Sequence, residues 1–252
     1  MKYTLILLFV LSLHFSTFSQ SKIVYNAFKV GLSMRESPSA QSKTIVKIPY
    51  GEKLTLIDVY ADTVAVVNEG MDGYWNIVEY QGKKGYVVGI YLLEMPPPKA
   101  NVKSMKEYFA QLSAAAGAAV TTTKYKQGDE GYSQFKKQLY KNGCEYHEAT
   151  FYESNSSTYF LPDITLQQGF ILVRLISEFK DAFSSSDIFP RENKIVKVNI
   201  QGYESDREIK VVQSDAGNWI DKIILNFEDG AFYTFEMFQL DGQLVISFGG
   251  GV

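Results

Sequence analysis

Cys144 and His147 are the residues of this chain best suited by type to nucleophilic chemistry. A thiol nucleophile needs an imidazole close enough to take its proton and a third group to orient the ring. The spacing works against this pair. Asn142-Gly143 immediately before them is the signal of a two-residue hairpin turn between Gln138-Leu139-Tyr140 and Glu145-Tyr146. Both residues therefore fall on one predicted strand, where positions three apart point to opposite faces. They read as a small semi-buried thiol and a surface imidazole, and no catalytic residue is assigned. One Cys and one His beyond the N-terminal segment cannot furnish the usual nitrogen and sulfur ligands of zinc, and no Asp-x-Asp-x-Asp-Gly loop is present for calcium. No metal or other cofactor is expected. Glu145, Glu148, Glu153 and Asp163 could supply an acid and a base for glycoside cleavage. The sequence brings no two of them to a defined separation, so a solvated face is the simpler reading. The tail Gly249-Gly250-Gly251-Val252 lacks the Lys and the following helix of a phosphate loop and reads as a frayed terminus.

Recognition by aromatic rings has more behind it. Seven Tyr and Trp side chains lie between Tyr50 and Tyr91, more than so small a segment can bury completely. Rings with polar tips suit shallow peptide or glycan contacts, because they offer area at low entropic cost. Tyr50, Tyr60, Tyr74, Trp75 and Tyr86 are the candidate ligand-binding residues. Tyr50, Tyr60 and Tyr74 fall in predicted turns, whereas Trp75, Tyr86 and Tyr91 read equally well as framework.

The elements that must position these residues begin after an N-terminal segment of a different kind. From Thr4 to Phe15 the chain is almost unbroken Leu, Ile, Val and Phe, preceded by Lys2 and followed by Ser16-Thr17-Phe18-Ser19. That is the layout of a secretory signal peptide over residues 1–19, and the run is too short to span a bilayer. No Cys follows it and no later stretch is apolar enough to span, so the expectation is a soluble periplasmic or secreted protein without a lipid anchor. The formal charge of −3 becomes −4 once Lys2 leaves with the signal peptide, which argues against nucleic acid as a partner. Cys144 is the only cysteine, so no intramolecular disulfide can form, and stability must come from packing.

The sharpest break in composition is Pro96-Pro97-Pro98, within a linker over residues 96–103. Three prolines remove backbone donors and favour an extended conformation. Before it, Ile45–Ile48, Leu54–Ile57, Trp75–Tyr80 and Gly85–Val88 are β-rich runs, with Gly51, Gly73 and Gly82 at the breaks. The spacing predicts a small barrel of five or six locally paired strands. Leu32-Ser33-Met34-Arg35-Glu36-Ser37-Pro38, then Ile45, Gly51 and Leu54, then Trp75-Asn76-Ile77-Val78 with Gly82 and Gly85-Tyr86-Val87, and finally Tyr91-Leu92 together resemble the bacterial SH3 family over residues 24–95. The resemblance implies an SH3-like barrel that binds a peptide or a cell-wall element. Ser33 and Met34 stand where that family has Asn and Val, and the stretch from Asp58 to Tyr74 is longer than its common loop, which bears on ligand preference more than on fold.

Residues 104–252 read as an α+β domain, possibly cystatin-like in its order of helix then meander. Ser104 and Glu107 have the spacing of a capping box, and Tyr108, Phe109, Leu112 and Ala116 make a helical stripe that frays by Thr121–Thr123. Thr165 and Gln168 form a second capping box ahead of an apolar helix in which Leu172, Ile176, Phe179 and Phe183 share a face. From Lys194 the period changes to two, with Asp229-Gly230 and Asp241-Gly242 at breaks, which predicts an antiparallel meander covered by that helix. The functional expectation is an exported, non-catalytic binding protein whose SH3-like domain recognises a peptide or cell-wall element and whose C-terminal domain adds a second interaction surface. The alternative is a cell-envelope hydrolase whose catalytic C-terminal domain is targeted by the SH3-like module.

Overall fold

A computed structural model describes residues 21–58, 64–200, 203–215, 217, 219–228 and 230–252. The predicted signal peptide, Tyr60 and Asp229 lie outside the described residues. Strand makes up 52% of the described residues and helix 11%, so the class is mostly antiparallel β, in two sheets.

The first sheet holds β1 (Lys22–Asn26), β2 (Leu32–Arg35), β3 (Thr44–Ile48), β4 (Lys53–Asp58), β5 (Ala65–Asn68), β6 (Met71–Tyr80), β7 (Lys83–Val88) and β8 (Leu92–Leu93). The strands follow the path β3-β2-β7-β6-β4-β1-β8, with β5 extending the sheet from β6. The end strands β3 and β8 do not pair, so the sheet stays open where a closed barrel was expected. β8 is only two residues long, because the chain runs into Pro96–Pro98, which have no N–H to continue a ladder. Gly73 lies inside β6, not at a break, and a Cβ there would sit 2.4 Å from Ile90 Cγ1.

The second sheet has nine strands. It contains β9 (Val120–Lys124), β10 (Ser133–Leu139), β11 (Glu145–Phe151), β12 (Ser154–Pro162), β13 (Lys194–Ile200), β14 (Tyr203–Gln213), β15 (Ile220–Glu228), β16 (Phe232–Leu240) and β17 (Gln243–Gly251). The predicted meander is present as β13 to β17, and a second meander, β9 to β12, joins it where β12 pairs with β17 from Ser154↔Gly251 to Pro162↔Gln243. The Gly tail is therefore held between two strands rather than frayed. The Tyr233 ring lies over Gly250, its Cδ1 2.5 Å from where a Cβ would be. A hairpin forms at Asn142-Gly143, but its loop has three residues, Lys141–Gly143, where a two-residue turn was expected: Tyr140 N–H donates to Cys144 O at 2.8 Å, Gly143 N–H donates to Tyr140 O at 3.0 Å, and only Gly143 has positive φ. At the last hairpin Asp241 and Gly242 both have positive φ, the geometry that suits a twisted two-residue turn.

The helices α1 (Met105–Leu112) and α2 (Leu166–Leu175) start where their capping residues predict. The Ser104 hydroxyl accepts from Glu107 N, and Thr165 and Gln168 cap each other reciprocally. α1 is shorter than expected. It stops at Leu112, and the β-branched run Val120–Lys124 is strand β9, as χ1 stiffness favours. α2 also ends early: Ile176 is extended, Phe179 falls in the 3-10 turn Ser177–Phe179, and Phe183 lies beyond, so of the expected helical face only Leu172 is within α2. α2 is buried nearly all round at Phe170–Val173 because it packs on β15 and β16 on one side and on the 3-10 turn Gly89–Tyr91 of the first half on the other. Below it, Tyr159, Ile246, Met237 and Ile223 form one buried row across four strands. Phe179 closes the layer, edge-on to Tyr159 and Phe235 at 6.1 and 5.8 Å. One apolar core thus runs from Val24 in β1 to Ile246 in β17. No described helix is long and apolar enough to cross a membrane.

Candidate functional site

The residues with nucleophilic or acid–base potential are separated by the sheet. Cys144 is fully buried beneath α1, and burial pushes its thiol up to about 11. His147 lies on the other face of β11, tilted on Phe160 at 5.0 Å and paired through Nε2 with Glu145. Burial alone would raise the Glu145 carboxyl, but hydrogen bonds from Lys137, at 2.6 Å, and from His147 hold it below the usual carboxylate range. Glu148 is on the Cys144 side, bound by Lys106 and by Lys136 at 3.7 Å, and both lysines also lie over the Tyr146 ring. Glu153 sits exposed between β11 and β12, and Asp163 is exposed between β12 and α2. No nucleophile–base pair and no facing pair of carboxylates arises from this set.

The predicted aromatic residues do not converge either. Trp75 is only 4% exposed, a framework residue of the first sheet. Tyr50 is half-buried, with Oη donating to Pro98 O at 2.7 Å, so it fastens the linker. Tyr86 is half-buried on β7 opposite Arg35 and Ile77, and Tyr74 is exposed on β6 opposite Ala65.

The linker is docked along its length. Tyr108 Oη donates to Pro96 O at 2.9 Å, Gln111 Nε2 donates to Pro97 O at 3.1 Å, and Gln111 Oε1 accepts from Lys99 N at 2.8 Å. Further contacts tie the halves together around α2. Arg174 donates to Glu69 Oε2 at 2.6 Å and Asp187 O at 2.7 Å, Gln168 Nε2 donates to Leu92 O at 3.1 Å, and Phe189 N donates to Glu69 O at 2.8 Å.

This junction leaves a cleft of about 890 Å³ whose walls come from both halves. The capping box that starts α2 places Thr165, Leu166 and Gln167 in one wall. The ladder between β14 and β15 shifts register at Val212/Gln213, and the loop beyond it is closed by Ser214 N donating to Trp219 O at 2.9 Å. That closure presents Trp219 into the cleft with 59% of its surface exposed, and its Nε1 donates to Asp221 Oδ1 at 2.6 Å, which fixes the plane of the indole. The charges at the first-half wall are matched: Lys22 pairs with Glu94, and Arg191 reaches across to Asp72 at 2.5 Å and to Gly70 O at 2.7 Å. Asp163 lines the cleft and, among the described residues, forms no ion pair. Among the described residues, no group of three His, Cys, Asp or Glu could hold a metal ion. The cleft brings together an exposed indole, paired charges at the first-half wall, the Asp163 carboxylate and amide side chains. Sequence reasoning passed over Trp219. The available signal was an aromatic residue at the end of a turn-rich stretch, Ser214–Trp219.

No protein-family model, curated protein or solved structure matches this chain.

Proposed function

We propose that this chain is an exported, non-catalytic binding protein of the cell envelope, periplasmic or secreted, that recognises cell-wall material in the cleft between its two halves. The observation that carries the reading is the cleft itself: its volume falls within the roughly 300–1,000 Å³ of ligand sites, both halves build it, and an exposed indole stands in its wall. The expected signal peptide over residues 1–19 and the resemblance of residues 24–95 to the bacterial SH3 family support a ligand outside the cytoplasm. The short strands of the first sheet are in keeping with an SH3-like fold, and the helix-covered meander with an α+β C-terminal half.

A structural role for the SH3-like half is favoured by the docked prolines and the continuous core. On this reading its main work is to complete the cleft and cover α2, not to bind a ligand of its own. The hydrolase alternative, with its catalytic groups in the C-terminal domain, has less support, because Asp163 is the one carboxylate that the described residues of that half contribute to the cleft lining.

The test uses the full mature chain, since the halves share one core. Incubation with purified peptidoglycan sacculi followed by sedimentation is expected to bring the protein down with the pellet. Protein left entirely in the supernatant would remove the envelope-binding reading.

A further inference from the structure

The geometry points to a neutral saccharide chain as the ligand of the cleft, stacked on Trp219. This assignment rests on the envelope-binding reading above and narrows it. Three features of the cleft choose among ligand chemistries.

The first is charge. Lys22 with Glu94 and Arg191 with Asp72 form matched pairs across the first-half wall, leaving the carboxylate of Asp163 as the unpaired charge among the described lining residues. An anionic ligand would find no free cation and would face Asp163. A strongly cationic one would have a single exposed carboxylate, which is worth little in water. A neutral ligand loses nothing on either count.

The second is hydrogen-bonding character. Thr165, Gln167, Gln213 and Gln239 bring hydroxyl and amide groups that both donate and accept. Gln239 is anchored by donating to Ile164 O at 2.7 Å, so its amide is held in place before a ligand arrives. A polyhydroxylated ligand can satisfy such groups in either sense. A peptide backbone in extended form would instead seek an unpaired strand edge, and the strand residues that line the cleft, Lys22, Asp72, Gln213, Ile220 and Gln239, sit at strand ends and each has a register partner on a neighbouring strand.

The third is the indole. Trp219 is fixed by its bond to Asp221 rather than packed into the core, and its face is open. A rigid, pre-oriented ring of this kind provides apolar area at little entropic cost. The C–H face of a pyranose is a flat apolar surface of matching size, with hydroxyls at its edge to meet the amides around it.

The measurement is a titration of the full mature chain with neutral glycan strands, oligomers of β-1,4-linked N-acetylglucosamine, and separately with glycan-free stem peptides. Trp75 is buried, so a change in tryptophan emission on binding reports on Trp219. The expected result is that glycan strands bind and shift the emission while stem peptides do not. Trp219→Ala is expected to weaken glycan binding by about tenfold or more, as aromatic anchors do, and Trp219→Phe to retain most of it by calorimetry. Because Trp219 is exposed, neither change threatens folding. Binding of stem peptides but not glycan, or glycan binding unchanged in Trp219→Ala, would overturn the assignment while leaving retention on sacculi intact. Loss of retention on sacculi by the unaltered chain would instead remove the reading on which it rests.

Discussion

Arg174 of α2 and Glu69 of the β5–β6 turn are joined by a 2.6 Å hydrogen-bonded ion pair between the two halves of the molecule, with the Arg174 side chain only 9% exposed. Removing one member of such a pair leaves a charge with poor solvation. Breaking fully buried pairs costs roughly 3–5 kcal/mol. Glu69 is about one-third exposed and Arg174 keeps Asp187 O as an acceptor, so Glu69→Ala is expected to destabilise by about 2 kcal/mol. Replacing both residues, as Glu69→Leu with Arg174→Met, is expected to recover part of that loss. Urea unfolding gives the comparison, and one cooperative transition with an unchanged m-value is expected for every variant. Two separated transitions in the wild type would mean that the halves do not share a core.

The docked prolines make a prediction about proteolysis. Pro97 and Pro98 are buried, and the carbonyls of Pro96, Pro97 and Pro98 accept hydrogen bonds from the side chains of Tyr108, Gln111 and Tyr50. Residues 96–103 are expected to resist limited digestion under native conditions. Tyr108→Phe removes the bond to Pro96 and is expected to cost about 1 kcal/mol and to raise the cleavage rate there. Rapid wild-type cleavage into two stable fragments would contradict the docking.

Cys144 gives a pH dependence. Burial holds its folded-state value near 11, above the ordinary thiol value near 9. The folded state therefore retains the proton that the unfolded state releases first. Stability is unaffected below about pH 9 and falls between about pH 9 and 11. Tyr50 and Tyr108 are also raised by burial and steepen the alkaline fall. Denaturation midpoints measured from pH 8 to 10.5 are expected to decline less in Cys144→Ala than in the wild type. The native thiol is expected to stay unreactive to a disulfide reagent at pH 8 and to react fully on unfolding.

Gly169 in α2 reverses the usual helix rule. Glycine to alanine in a helix interior normally stabilises by about 1 kcal/mol. Here a Cβ would lie 2.3 Å from Leu244 Cδ2 and 3.0 Å from Met237 Sδ, both side chains being fully buried. Overpacking of this kind costs roughly 1–3 kcal/mol, so Gly169→Ala is expected to destabilise on balance, read as a lowered thermal midpoint.

Local chemistry was readable in the sequence and non-local pairing was not. Asn142-Gly143, Asp241-Gly242 and the caps at Ser104 and Thr165 act within a few residues, and each forms where its pattern places it. The opposed faces of Cys144 and His147 followed from strand periodicity alone. By contrast, the pairing of Ser154 with Gly251 joins segments that carry no mark of each other, so the glycine tail read as loose when it is a central strand. Proline stiffness announced a linker but not its docking, because the Tyr50 and Tyr108 hydroxyls that receive it belong to different elements. The cleft escaped for the same reason: Lys22, Asp72, Thr165 and Trp219 become neighbours only through the packing of α2 between the two halves.

The most direct test of the central claim, that recognition takes place in the shared cleft, is sacculus retention of the wild type compared with Trp219→Ala and Tyr74→Ala. Both altered residues are exposed, and both variants are expected to fold. The account predicts that Trp219→Ala loses most of the retained protein while Tyr74→Ala keeps it. Full retention by Trp219→Ala with loss in Tyr74→Ala would contradict the account and move recognition to the outer surface of the first sheet.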